Sequence, residues 1–249
     1  MSTGYAPGHG DEMLAILRIR TAAEHAAFFL PYLEPGQRLL DLGCGEGNLT
    51  LELAAHVAPG RVVGVDREAS VTRAAAQAAG DACSTQVRFE TADAAALPFE
   101  DASFERVFVH ALLEHAPDPA AVLAEAARVL VPGGILGAAT TDWGATLALP
   151  ETPELRVAVA AHLAKRRSHG GDPLAARHTP EIAAGLGLEV LHVGARFEDE
   201  SPPHRFAAYL ARSVPEHAAA ARDWPTHPGS LYSIAWVQLV ARKPATDGA

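Results

Sequence analysis

Short apolar stretches alternate with helical stretches along the first half of this chain, and that alternation constrains its fold more than any other feature. Buried strands are predicted at Arg38–Leu42, Arg61–Asp66 and Gln86–Thr91. Apolar residues at helical spacing separate these strands, at Asn48–Val57 and Glu68–Ala79. Strands and helices that alternate in this way predict a parallel sheet with helices on both of its faces.

The same alternation continues through Thr141 and loosens beyond it. A strand at Phe104–His110, a helix at Pro119–Leu130 and a strand at Ile135–Thr141 extend the series. Two more strands follow at Leu188–Arg196 and Tyr232–Arg242, separated by helical and irregular stretches. The sequence therefore predicts a doubly wound α/β fold around a seven-stranded, mostly parallel sheet.

Composition and charge narrow the class of protein. The net charge is −10, and no basic cluster is longer than Lys165-Arg166-Arg167, which we read as a solvated helix end and not as a nucleic-acid-binding surface. Two cysteines are too few for a disulfide framework, and the twelve histidines show no metal-binding spacing, so no metal site is predicted. With no signal segment or membrane-spanning run, we expect a reduced, cytoplasmic protein of one domain, residues 1–249.

A glycine-rich turn follows the first predicted strand. The stretch LDLGCGEGNL places Gly43, Gly45 and Gly47 between that strand and the first helix of the alternating series. Glycine permits positive φ angles and lets a ligand approach the backbone without meeting a Cβ. In open α/β sheets, ligands bind beyond the carboxyl ends of the strands, where this turn lies. A turn glycine combined with a packing glycine is the structural alternative.

Three carboxylates surround that turn. Asp41, Asp66 and Asp93 lie at the ends of the first three predicted strands. Asp66 follows the turn by about twenty residues, a spacing at which a carboxylate accepts hydrogen bonds from a ribose diol. Acids with no Lys or Arg in the turn argue against a pyrophosphate, and the glycines are not spaced as in a P-loop or a G-x-G-x-x-G turn. A cationic, ribose-bearing ligand fits better, and S-adenosylmethionine has that chemistry.

A family resemblance rests on the segments LLDLGCGEGNLT, VVGVD, TADAAALPFEDASFERVFVHALLEHAPDP and AARVLVPGGIL. Between Arg38 and Leu136 the chain resembles class I S-adenosylmethionine-dependent methyltransferases, and within them the type 11, UbiE-like small-molecule branch. The resemblance implies a Rossmann-like sheet whose last strand is antiparallel. It also implies S-adenosylmethionine as cofactor and S-adenosylhomocysteine as product.

The resemblance further implies how the chain is divided. An N-terminal helix, predicted from the apolar spacing between Asp11 and Leu30, would cover the active site together with later helical insertions. The expected parts are a helical cap at residues 1–35, a cofactor-binding core at 36–142 and an acceptor side at 143–249, with lid segments at 143–180 and 200–230.

Individual roles are implied in the same way. Asp41 would attract the ammonium group of the cofactor, Asp66 would hold the ribose hydroxyls and Asp93 would accept the adenine amino group, with Arg67 beside the adenine. His110 and Ala111 would line the region around the methionine and the sulfonium. The full set of implied cofactor-binding residues is Asp41, Gly43, Cys44, Gly45, Asn48, Leu49, Asp66, Arg67, Thr91, Ala92, Asp93, Ala94, His110 and Ala111.

Two side chains are candidates for catalysis and two for contacts with the acceptor. His110 ends a predicted strand, and because histidine titrates near neutrality it is a candidate base or a wall of the cofactor site. Asp142 follows the next strand, where it is either catalytic or the cap of the following turn. Trp143 would stack on an acceptor or pack internally, and His115 would contact the substrate as a base or fix its own loop.

The acceptor is predicted by analogy. Five aromatic residues of the second half would supply its walls: Trp143, Phe197, Phe206, Tyr209 and Trp224. They favour a hydrophobic or aromatic small molecule, quinone-like or from secondary metabolism, methylated at O, N or C. Arg177 would pair with Asp172 or meet an anionic substrate.

Other functions and partners are part of the expectation. An S-adenosylmethionine-binding protein without transferase activity is the alternative, and a nicotinamide oxidoreductase is a third hypothesis. A small-molecule substrate and a homodimer are the expected partners, without nucleic acid or a membrane span.

Overall fold

The computed structural model describes residues 20–81 and 85–245, which build one eight-stranded sheet with helices packed around it. The strands are β1 (Leu39–Leu42), β2 (Val62–Asp66), β3 (Val87–Thr91), β4 (Phe104–His110), β5 (Leu130–Thr141), β6 (Leu147–Leu149), β7 (Glu189–Glu200) and β8 (Leu231–Arg242). The α-helices are α1 (Ala22–His25), α2 (Asn48–Val57), α3 (Ala69–Asp81), α4 (Pro119–Val129), α5 (Pro153–Ser168), α6 (Ala175–Gly185), α7 (His204–Ser213) and α8 (Ala218–Asp223).

The sheet is parallel on one side and antiparallel on the other. Strands β3, β2, β1, β4 and β5 are neighbours in that order and run parallel. β8 is antiparallel to β5, and β7 and β6 are both antiparallel to β8. Because Ser233 pairs with Leu147 of β6 and with Asp199 of β7, β6 continues the edge of β5 and β7 lies on the opposite side of β8.

The predicted fold class is confirmed, with one more strand than the seven predicted. The additional strand, β6, has three residues and carries too short a pattern to be recognised in sequence. β5 begins at Leu130 and not at Ile135, because Leu130 already pairs with Phe104 of β4. Of the helix predicted between Asp11 and Leu30, residues 11–19 lie outside the described residues. The described remainder is not one helix as predicted, because α1 ends at His25 and a turn and a 3₁₀ turn at 30–32 follow it.

Successive side chains of a strand point to opposite faces of the sheet, and apolar residues cover both faces. Leu39 joins a buried cluster with Phe29 and Phe108, whereas Leu40 and Leu42 join the cluster on the opposite face. Continuous burial of all four β1 residues is typical of a central parallel strand. β1 is therefore fixed from both sides, and the turn that follows it is held at a defined place.

The residues that follow β5 in the sequence form a separate apolar cluster. It joins α5, α7 and α8 through Leu155, Leu210, Ala221 and Trp224. Its buried residues include Tyr209 and Tyr232, so this cluster reaches β8 as well. No helix in the described ranges is both long and apolar enough to cross a membrane.

Candidate active site

The three glycines of the turn after β1 have different surroundings. Gly43, Gly45 and Gly47 all have positive φ angles, of 73°, 54° and 85°. A Cβ on Gly47 would lie 2.5 Å from Cζ of Phe89, and one on Gly43 would lie 3.1 Å from the Leu112 side chain. No atom lies within 4 Å of the position that a Cβ on Gly45 would take. Packing therefore accounts for Gly47 and Gly43, and Gly45 faces open space.

Gly45 borders a cavity of about 470 Å³ beyond the carboxyl ends of the parallel strands. That volume falls within the range of small-molecule sites. Nine of the predicted cofactor residues line it: Gly43, Gly45, Asp66, Arg67, Ala92, Asp93, Ala94, His110 and Ala111. The other five, Asp41, Cys44, Asn48, Leu49 and Thr91, are not among its lining residues.

The carboxylate of Asp66 is held at the end of β2 by backbone amides. Gly45 N donates to Oδ2 at 3.2 Å, and Glu68 N donates to Oδ1 at 3.0 Å. The first contact ties the glycine turn to β2, and the second ties the start of α3 to the same side chain. Asp93 is fixed in a similar way, since Ala95 N donates to its Oδ1 at 2.9 Å. Both carboxylates face the cavity in defined orientations.

Asp41 lies beneath the turn and not at the surface of the cavity. Its side chain is buried, and the Thr50 hydroxyl donates a hydrogen bond to Oδ2 at 2.6 Å. Burial, together with the nearby charge of Asp66, raises the pKa of Asp41 to about 7 although the Thr50 bond opposes the shift. Any attraction between Asp41 and a ligand would therefore act through the turn or through water.

Two further predicted cofactor residues have partners within the protein. The hydroxyl of Thr91 lies 2.7 Å from that of Thr72 on α3. Burial, mainly, raises the pKa of the Cys44 thiol well above its usual value. A raised thiol pKa favours the structural interpretation of Cys44 as a small packed side chain.

His110 forms part of an aromatic wall of the cavity. Its ring stacks on Trp236 at a centroid distance of 4.7 Å and meets the edge of His25 at 5.3 Å. Nη1 of Arg20 lies 3.5 Å from Nδ1 of His110. Burial first, then the nearby positive charges, lowers the pKa of His110 well below its usual value, so the ring is neutral at neutral pH. Ala111 follows with a φ of 53°, which is unusual for a residue with a side chain, and it lines the cavity as well.

Asp142 is engaged in the turn after β5. Gly144 N donates to Oδ1 at 2.9 Å, and Arg177 Nε donates to Oδ2 at 2.8 Å. Asp142 is not among the residues that line the cavity, so the geometry favours the turn-cap alternative. Of the two alternatives predicted for Arg177, the pair with Asp172 is wrong, because Arg177 instead forms its ion pair with Asp142.

Trp143 and His115 both line the cavity. They are joined by Arg166 of α5, whose Cζ lies 4.0 Å from the centre of the Trp143 ring. Nη1 of the same guanidinium lies 3.3 Å from Nδ1 of His115. Burial and the Arg166 charge lower the pKa of His115 well below its usual value, so His115 is neutral as well.

The aromatic walls differ in part from the prediction. Phe206 and Tyr209 line the cavity as predicted, but Phe197 is 53% exposed and Trp224 is packed in the apolar cluster of α5, α7 and α8. Trp224 also donates from Nε1 to the Pro150 carbonyl. Those two predicted wall positions are therefore wrong.

Sequence reasoning missed several residues that line the cavity. The main ones are Glu114, Arg166, Tyr232 and Trp236. Arg166 is only 4% exposed, so its assignment to a solvated helix end is wrong. The sequence offered a reason to consider Glu114, because it directly precedes the candidate residue His115 in the LLEHAPD segment. No motif around Tyr232 or Trp236 indicates a position at the cavity.

Comparisons with known proteins agree with this geometry. Residues 40–138 match a family model described as a methyltransferase domain. The chain is 31% identical to a protein described as a probable methyltransferase, ltbC, from Aspergillus luteorubrus, over 74% of this chain and 67% of that protein. It is 40% identical to the 27-O-demethylrifamycin SV methyltransferase of Amycolatopsis mediterranei, over 52% of this chain and 48% of that enzyme.

A solved structure has the same fold. Geranyl diphosphate C-methyltransferase from Streptomyces coelicolor A3(2), in complex with Mg²⁺, geranyl diphosphate and S-adenosyl-L-homocysteine, superposes with a TM-score of 0.60. The match has 18% sequence identity and covers 89% of this chain and 77% of that chain.

This chain belongs to the class I S-adenosylmethionine-dependent methyltransferases, as the glycine turn and the acids around it predict. It spans about half the length of the rifamycin enzyme that it matches, and two thirds of the length of ltbC.

Proposed function

We propose that this chain transfers a methyl group from S-adenosylmethionine to an aromatic or otherwise apolar small molecule. The observation that carries the proposal is the continuity of the cavity. One space of about 470 Å³ connects Gly45 and Asp66 with a wall formed by Trp143, Phe206 and Tyr232. A donor at the first end and an acceptor at the second would therefore meet within one site.

The residues present fit the cofactor. Asp66 and Asp93 lie at neighbouring strand ends with their carboxylates fixed by amides, and Gly45 leaves the backbone open to close approach. S-adenosylmethionine supplies, when bound, a methyl group already activated on a positively charged sulfur. Asp66 would accept hydrogen bonds from the ribose hydroxyls, Asp93 would accept one from the adenine amino group, and Arg67 would lie beside the adenine. The acids suit a cationic ligand and disfavour a phosphate.

The protein's own contribution is chiefly to position the acceptor and exclude water. Placing two reactants in the correct geometry lowers a barrier by roughly 7–11 kcal/mol in favourable cases. Stacked rings at His110 and Trp236 give the cavity a rigid wall. His110 remains the candidate base: its neutral ring is able to accept a proton, but burial disfavours the charged form that would result.

We further propose that the two halves of the chain have different roles. Residues 36–142 would hold the cofactor, and residues 143–249 would shape the acceptor end through Trp143, Arg166 and Phe206, which all line the cavity. Secondary metabolism and quinone chemistry both provide aromatic acceptors of suitable character. The relative from Amycolatopsis, which is named for a rifamycin substrate, supports the first source.

Calorimetric titration with S-adenosylhomocysteine, followed by incubation with S-adenosylmethionine and a panel of quinols, phenols and polyketides, tests the proposal. We expect the titration to show binding, no heat with NADH, and at least one singly methylated product by mass spectrometry. Binding without turnover on any acceptor would favour the S-adenosylmethionine-binding alternative. A failure to bind S-adenosylhomocysteine would overturn the proposal itself.

A further inference from the structure

Arg166 is a buried positive charge at the acceptor end of the cavity. It lies in the last turn of α5, is 4% exposed and lines the cavity. Among residues 20–81 and 85–245, no carboxylate oxygen lies within 4.0 Å of its guanidinium nitrogens. Since a guanidinium stays protonated in proteins, its charge in this position calls for a compensating partner.

The contacts that Arg166 does make are with neutral groups. Nε donates to Nε2 of His162 at 2.9 Å, Nη1 lies 3.3 Å from Nδ1 of His115, and Nη2 donates to the Tyr209 hydroxyl at 3.0 Å. Burial, mainly, lowers the pKa of His162 to about 3, so both histidines accept these bonds as neutral rings. The face of Trp143 covers the guanidinium at 4.0 Å. These partners fix the orientation of the Arg166 guanidinium, but because they are neutral they do not compensate its charge.

Three residues that line the cavity with Arg166 carry buried polar atoms without a partner, and the Arg166 charge acts on the Glu114 carboxyl and the Tyr232 hydroxyl. The three atoms are Oε2 of Glu114, Nε1 of Trp143 and the Tyr232 hydroxyl. Glu114 is 2% exposed and Tyr232 is 6% exposed. Buried polar groups in native proteins are normally hydrogen-bonded, so three such atoms at one cavity end indicate a polar ligand group that bonds to them.

We propose that the Arg166 cluster, defined as Glu114, Trp143, Arg166, Tyr209 and Tyr232, binds an anionic oxygen of the acceptor. That oxygen belongs to a carboxylate or to an ionised phenol or enol. The inference rests on the proposed function and specifies its acceptor: an apolar, aromatic body that carries one acidic group. Arg166 and the donors on Trp143 and Tyr232 hold the acidic group while the aromatic walls hold the body.

Glu114 is the carboxylate that would be expected to pair with Arg166 in place of a ligand. Its position argues against that role. Its carboxyl lies beyond 4.0 Å from the guanidinium. Burial raises the pKa of Glu114, and the Arg166 charge opposes that shift only as a smaller effect. A neutral Glu114 carboxyl would add one more donor for the oxygen of the acceptor.

Three other acids that line the cavity, Glu198, Asp199 and Glu200, already have hydrogen-bond partners. Oε2 of Glu198 accepts from Trp236 Nε1 at 3.1 Å and from Arg196 at 3.0 Å. Asp199 accepts from the Ser233 hydroxyl, and Glu200 accepts from the first amides of α7. None of these three carboxylates forms an ion pair with Arg166.

The test measures ligand binding to the S-adenosylhomocysteine complex by calorimetry or ligand-observed NMR. The probes are matched pairs: aromatic carboxylic acids with their carboxamides, and nitrophenols with their methyl ethers. We expect at least one acidic probe to bind about tenfold more tightly than its neutral partner. The pair that shows the preference distinguishes a carboxylate from a phenolate.

Arg166→Met is expected to abolish the preference, whereas Arg167→Met is expected to keep it. Arg167 is the next residue of the same helix and is exposed, so it controls for the loss of one charge. An unchanged affinity for S-adenosylhomocysteine in both variants separates this inference from the proposed function. If Arg166→Met does not fold, Tyr232→Phe and Trp143→Phe replace it, since each removes one unpartnered donor and is expected to reduce the preference.

Two results would overturn the inference. One is a set of probes in which no acid binds the wild-type complex better than its neutral partner. The other is a folded Arg166→Met protein that retains the full preference for acids.

Discussion

The two ends of the cavity hold charge in opposite ways. At the proposed cofactor end, Asp66 and Asp93 are negative groups whose oxygens accept hydrogen bonds from nearby backbone amides. At the acceptor end, Arg166 is a positive group surrounded by two neutral histidines, a tyrosine and a tryptophan. The first end is polar and partly open, and the second is buried and aromatic.

This difference shows where specificity is expected to lie. A carboxylate that follows a glycine turn at a strand end recurs in doubly wound sheets that bind a ribose, because the backbone supplies the geometry. A buried guanidinium whose partners come from several distant elements depends on the side chains that this sequence places there. Exchanging residues at the acceptor end should alter which molecule is methylated, and exchanges at the cofactor end should alter whether any is.

The largest expected effect is on stability, and it concerns Asp41, which is buried beneath the glycine turn. The pKa of Asp41 in the folded protein is about 7 against a usual 3.8, mainly because of burial. Between these values the unfolded chain binds fewer protons than the folded one, so the free energy of unfolding falls as pH rises. Between about pH 5 and about pH 8 we expect a loss of roughly 3 kcal/mol from this group.

Urea unfolding of wild type and Asp41→Asn at the two pH values measures that loss. The variant lacks the titration, so its stability relative to wild type should increase towards the higher pH. Asp101→Asn is the matched control, since the Asp101 side chain is 78% exposed. Equal pH dependence in wild type and Asp41→Asn would show that Asp41 is charged in the folded protein at both pH values.

The second effect distinguishes the two kinds of glycine in the turn. Gly45→Ala and Gly47→Ala share the strain of a left-handed backbone, about 1–2 kcal/mol each. Only the Gly47 variant places a Cβ 2.5 Å from the Phe89 ring, so it should be less stable by a further ~1–3 kcal/mol. Chemical unfolding of both variants measures the difference, and adding Phe89→Leu should recover much of it. Gly45→Ala should instead weaken S-adenosylhomocysteine binding, because its Cβ enters the open space.

Nine of the fourteen predicted cofactor residues line one cavity, and the sequence grouped them because they stand in short contiguous segments. The strand, the turn and Asp66 stand within thirty residues, and each carries its own pattern of apolar or glycine residues. The acceptor end is assembled from Glu114, Arg166 and Tyr232, which are far apart in sequence and meet only through packing. Arg166 shows the problem most clearly, since a basic run at the end of a helix is typical of a solvated surface.

The third effect tests the role of Asp66. Asp66→Asn keeps one acceptor oxygen, but it removes the negative charge and replaces the other oxygen, which accepts one of the two amide hydrogen bonds, with an NH₂ donor. The ribose would therefore lose a charged acceptor. Charge-assisted hydrogen bonds contribute roughly 1.5–3 kcal/mol, so the dissociation constant for S-adenosylhomocysteine should rise about tenfold or more. Calorimetric titration measures it, with thermal unfolding as a check that the variant is folded. An unchanged dissociation constant would rule out a ribose contact at Asp66.

The smallest effect is expected at Asp142, which has the same position at the end of β5 that Asp66 has at the end of β2. Both carboxylates accept a hydrogen bond from the amide two residues further on, and each second oxygen has a partner as well, Gly45 N for Asp66 and Arg177 for Asp142. The difference is that Asp66 lines the cavity and Asp142 does not. Asp142→Asn should therefore change S-adenosylhomocysteine affinity less than about twofold, well below the effect at Asp66. Once an acceptor is known, turnover separates the two remaining roles. Loss of turnover with unchanged cofactor affinity would make Asp142 catalytic, and retained turnover would leave it as a turn cap whose carboxylate orders the chain between β5 and β6.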